Sequence, residues 1–69
     1  MKIVFISAAE RLKLLYEVAS QTGETSYEAV AESVDMILRN IHAMQENFVF
    51  DFEPISEKDM NELISYINE

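Results

Sequence analysis

The sequence predicts a small α+β domain of order β-α-α-β-α, a two-stranded antiparallel sheet on a helical hairpin plus a C-terminal helix. Three observations carry that expectation. A short apolar run, KIVFI, comes first, an alternating aromatic run appears near residue 50, and apolar residues recur at helical spacing elsewhere. The 69 residues make one domain, close to the lower size limit for folding without metal or disulfide support.

Lys2 to Ile6 is rich in β-branched and aromatic residues, which fit the pleated surface of a strand. Ile3 and Phe5 fall on one face, Val4 and Ile6 on the other, so both faces call for cover. Ser7-Ala8-Ala9-Glu10 matches a capping box and starts the first helix at Ala8. Its inner stripe is Leu12, Leu15, Val18 and Ala19, widened by Leu14 and Tyr16. Gly23, the only glycine, stands where a left-handed residue would end that helix.

Thr25 to Glu46 reads as the longest helix, opened by a second box from Thr25 to Glu28. At 1.5 Å per residue it would run ~30 Å. Tyr27, Val30, Val34, Ile37, Leu38, Ile41 and Met44 form its expected buried face. Glu28, Glu32, Asp35, Arg39, His42 and Glu46 form the opposite, charged face. The short Gly23–Thr25 turn implies an antiparallel helical hairpin.

Asn47 to Glu53 then alternates with period two, placing Phe48, Phe50 and Phe52 on one face and Val49, Asp51 and Glu53 on the other. Pro54 ends the strand because it has no amide for the ladder. Ser56 is the expected cap of the last helix, with Asp59 three residues on and Ile55 and Met60 as a hydrophobic staple. That helix, to about Asn68, would bury Met60, Leu63, Ile64 and Ile67. Counting reversals from strand to helix to helix to strand makes the two strands antiparallel neighbours.

Two strands alone are marginal, so helices must cover one face of the sheet. An apolar content of 49% exceeds what so small an interior hides, which points to a homodimer. The expected dimer surface is Val4, Ile6 and Val49, or the free strand edge.

Thirteen acids stand against five bases, a formal charge of −8. Residues 1–39 hold six acids and four bases, net −2; residues 40–69 hold seven acids and one base, net −6. Such a chain is poorly suited to phosphate backbones or anionic membranes, whose affinity rests on Lys and Arg. It suits a basic partner, or simply solubility. No run reaches the ~18–20 apolar residues of a membrane span. The apolar start is shorter than a signal-peptide core and is followed by Arg11 and Lys13. Having no cysteine, the chain makes no disulfide or thiolate site, which fits a reducing cytoplasm.

Chemistry is hard to place on these residues. The sequence has no glycine-rich phosphate loop, nucleophile elbow or Cys/His pair, and Ser7, Thr25 and Ser56 have capping duties. Asp51, Glu53, Glu57, Asp59 and Glu62 have the spacing of a calcium loop, but Ser56 stands where its glycine is needed, Ile55, preceded by Pro54, stands where a ligand is needed, and a strand flanks it where a helix is needed. His42 and Glu46 are only two ligands, short of a zinc site. Glu32-Ser33-Val34 is mid-helix, unlike the attachment serine of an acyl carrier protein. Val4 and Ile6 are unlike the polar strand positions with which ribbon-helix-helix antitoxins read DNA. No enzyme activity, cofactor or metal is expected.

The expected function is that of an acidic inhibitor, a DNA mimic that occupies the DNA-binding surface of a basic nucleic-acid-binding protein. A nucleoid-associated histone-like protein is the favoured target, because a diffuse carboxylate field best imitates DNA for a nonspecific binder. The expected contact residues are Glu28, Glu32, Asp35, Glu46, Asp51, Glu53, Glu57, Asp59 and Glu62, with Tyr27, Met36 and Phe52 as apolar anchors. Compact acidic inhibitors are common among phage host-takeover proteins, an analogy of class alone. The alternative is an antitoxin, immunity or regulatory module that binds through apolar surface, its charge serving solubility.

Overall fold

A computed structural model describes residues 1–44 and 47–68. Strand β1 (Lys2–Ile6), helices α1 (Ala8–Thr22) and α2 (Tyr27–Ile41), strand β2 (Phe48–Phe52) and helix α3 (Glu57–Ile67) follow one another in the predicted order. The direction of the sheet differs from expectation. β1 and β2 are parallel, with Lys2 opposite Phe48 and Ile6 opposite Phe52. The Lys2 amide donates to the Asn47 carbonyl at 2.8 Å, and the Glu53 amide donates to the Ile6 carbonyl at 2.9 Å.

The reversal count fails because the two helices do not bring the chain back to the end of the sheet it left. Arg11, near the start of α1, lies over Phe52 at one end of β2. His42, just past α2, stands against Phe48 and Phe50 toward the other end. The helical pair therefore carries the chain across the sheet, as a crossover between parallel strands must. Asn47, with φ of 50°, turns the chain into β2, a left-handed conformation that asparagine tolerates better than most residues.

Local chemistry sets the helix ends. The Glu10 amide donates to Ser7 Oγ at 3.2 Å, and the Asp59 amide donates to Ser56 Oγ at 3.2 Å. Each bond satisfies an amide that the first helical turn leaves open. Gly23 closes α1 with φ of 67°, its amide donating to the Ala19 carbonyl. The start of α2 differs from the predicted box at Thr25: Ser26 is its N-cap and makes no side-chain capping bond.

Leu15, Val18 and Ala19 of α1, Val30, Val34 and Leu38 of α2, and Leu63 and Ile67 of α3 form the core. Val4 and Ile6 are buried in the same core. Of the predicted inner stripe of α2, Val30, Val34 and Leu38 are buried and Ile37 is 38% exposed, and on α3 the predicted core residue Ile64 is 37% exposed. Ile41 is 64% and Met44 96% exposed, so the apolar periodicity continues after the core has ended. Helix α2 stops at Ile41 instead of reaching Glu46, and Gln45 and Glu46 lie outside the described residues.

Candidate functional site: the acidic surface and the back of the sheet

Glu28 and Glu32 project from α2 into solvent, one turn apart. Asp35, one turn further, is half-buried, and its Oδ1 is enclosed without a hydrogen-bond partner. Asp51 is exposed on β2, and Glu57 and Glu62 are exposed on α3. Asp59 is half-buried, in the first turn of α3. Glu46 lies outside the described residues. These acids are spread over three elements, and among the described residues no three His, Asp or Glu converge as metal ligands would.

Glu53 has a role that its position in sequence does not suggest. Its Oε1 accepts a hydrogen bond from the Ala8 amide at 2.9 Å, across 45 residues of sequence. A carboxylate there meets an open amide and the positive end of the α1 dipole. Glu53 is thus a helix cap supplied by another element.

The arginines are also committed within the molecule. Arg11 lies 4.7 Å from the Phe52 ring centroid and Arg39 lies 5.5 Å from that of Phe50. Both are within the range in which a ring's negative face attracts a cation. The Arg11 Nε is buried without a hydrogen-bond partner. Phe48 and Phe50 meet edge to face and Phe50 stacks on Phe52, so β2 presents a continuous aromatic ladder to these side chains. The expected anchor Phe52 is therefore half-buried under Arg11, Tyr27 is half-buried, and Met36 is exposed. Alternation identified the phenylalanine face, but nothing local to either arginine announces its ring.

On β1 the outward row is the reverse of the one expected, while Val49 of β2 is outward as expected. Val4 and Ile6 point into the monomer's own core, so they are not available as a dimer surface. Their strand neighbours Ile3 and Phe5 are 67% and 57% exposed, beside Val49 at 45%. Both parities of KIVFI are apolar, so composition did not distinguish inside from outside. A shallow groove between α1 and α3 is lined by Tyr16, Asn61, Glu62, Ser65 and Tyr66, with the two tyrosine rings edge to face at 5.1 Å.

Among the described residues no helix is long and apolar enough to cross a membrane. The chain matches no protein-family profile, no curated protein and no solved structure. Fold and surface define a small two-layer α+β domain with dispersed carboxylates on its helices and an apolar sheet back.

Proposed function

We propose that the chain is a non-enzymatic acidic inhibitor that occupies the DNA-binding surface of a basic nucleic-acid-binding protein, preferably a nonspecific histone-like one. The observation that carries this reading is the exposure of Glu28, Glu32, Glu57 and Glu62 on two helices of a chain whose net charge is −8. Such a field attracts a basic groove and speeds encounter with it. Carboxylates one helical turn apart recur every ~6 Å, against ~3.4 Å for phosphates along one DNA strand. Several elements must therefore contribute together. A phage source fits this class by analogy only.

The test is competition. A labelled duplex bound to a purified histone-like protein is titrated with the chain, and displacement is followed by fluorescence anisotropy. Displacement should occur at low salt and weaken steeply as salt rises. Reversing Glu28 and Glu32 to Lys, together with Glu57 and Glu62 to Lys, should abolish it with the fold intact. Glu53 is left unchanged because it caps α1, and Asp51 because it lies opposite Phe5 in the sheet. Undiminished displacement by the four-site variant would sink the mimic reading.

One observation favours the second reading, an antitoxin-, immunity- or regulatory-type module that binds its partner through apolar surface. The exposed side chains of Ile3, Phe5 and Val49 form a patch of the kind that partners cover. Affinity resting on that patch would be nearly indifferent to salt, which separates the two readings in one titration.

A further inference from the structure

A parallel sheet is ordinarily covered on both faces, and here the helices cover one. The smallest extent of the Cα trace is 15 Å, room for one helix layer on one sheet and nothing behind it. The accessible surface is 4900 Å², whereas a self-sufficient monomer of 8.0 kDa would expose about 4,450 Å². The radius of gyration, 12.6 Å, likewise exceeds the ~11 Å of a compact chain of this length. The surplus of roughly 450 Å² is about half of what each partner contributes to a standard interface, ~800 Å². The back of the sheet is a continuous place for it, with Ile3 beside Val49 in register and Phe5 on the next outward row.

Charge selects the occupant. The back of the sheet carries one carboxylate, Asp51, which flanks Phe5 near the C-terminal end of β2. A basic partner would gain more on α2 or α3, where Glu28, Glu32, Glu57 and Glu62 stand. A second copy of this chain, itself at −8, meets the least like-charge repulsion across the one face that is nearly free of charge. A twofold contact also needs a patch complementary to itself, and a flat apolar row meets that need.

We propose that two copies pack the backs of their sheets together about a twofold axis, Ile3, Phe5 and Val49 of one against the same residues of the other. The buried sheets would stack ~10 Å apart, leaving α1, α2 and α3 of each copy outermost and Asp51 at the rim. The dimer does not depend on the mimic reading. Its two acidic surfaces would face away from each other.

Sedimentation equilibrium of the full chain tests this, across a concentration series and at low and high salt. The wild type should weigh twice 8.0 kDa and dissociate less as salt rises, opposite in sign to a mimic–target complex. Phe5→Asp should be monomeric, with its dissociation constant raised at least ~100-fold and its far-ultraviolet circular dichroism unchanged. The milder pair Ile3→Ser with Val49→Ser should weaken the dimer in the same direction, which covers the case in which Phe5→Asp unfolds. Ile41→Ser, on the exposed end of α2, should leave the dimer intact. A wild type that stays at monomer mass at the highest concentration would overturn the proposal and give the face to another partner. So would a dimer that survives the sheet variants but falls to Ile41→Ser.

Discussion

Glu53 Oε1 holds the Ala8 amide at 2.9 Å, fastening the end of β2 to the beginning of α1. Ser7 caps the same helix at Glu10, so two elements share the work at one helix terminus. Removing the carboxylate as Glu53→Ala should cost about 1 kcal/mol, the usual magnitude of a lost cap. For a domain of this size that is a fall of roughly 4–8 °C in Tm. Glu32→Ala, equally acidic but in mid-helix solvent, should change stability by less than about 0.5 kcal/mol. Thermal unfolding followed at 222 nm checks the pair, and equal effects would remove Glu53 from its capping role.

Gly23 gives a cleaner backbone experiment. At φ of +67° an added side chain is strained, yet a Cβ there meets no atom within 4 Å. Gly23→Ala should therefore cost about 1 kcal/mol from conformation alone. Gly23→Asn should cost less, since asparagine enters the left-handed region more readily. Urea unfolding of the two variants would show the order, and Asn as the worse substitute would contradict the assignment.

The uncompensated charge predicts a response to salt. With thirteen acids against five bases, the carboxylates repel one another through solvent. Raising sodium chloride from about 0.01 M to about 1 M shortens the screening length from ~30 Å to ~3 Å. Tm should rise by several degrees, and by less in Glu28→Gln with Glu32→Gln. A Tm that falls with salt would mean that attractive pairs outweigh the repulsion.

Features decided within a few residues were legible in the sequence. Ser7, Gly23 and Ser56 end or start helices through bonds spanning three or four positions, and their residue types announce it. The alternation of Phe48, Phe50 and Phe52 likewise found the inner face of β2. Long-range choices were hidden. The direction of β2 depends on where the helical pair delivers the chain, marked by Arg11 over Phe52 and His42 against Phe48, contacts between segments far apart in sequence. Val4 and Ile6 could not be told from Ile3 and Phe5, because both rows are equally apolar. The stripe on α2 gave a period without showing where the core would end. Exposure of most of the acidic residues followed from their position on helix faces. The caps and ring contacts of Glu53, Arg11 and Arg39 join distant segments, so no local pattern contained them.

The parallel pairing of β1 with β2 bears on how the chain is made as well as how it stands. Lys2 finds its partner at Phe48, 46 residues later, and at roughly 5–20 residues per second translation needs about 2–9 s to supply it. Throughout that interval KIVFI is an apolar segment without its strand partner, the kind of segment that can seek strands on other molecules. Closing so long a loop also comes at an entropic cost before the sheet returns any stability. Synthesis therefore holds β1 without its sheet partner until β2 is made, a delay that a local hairpin would not impose.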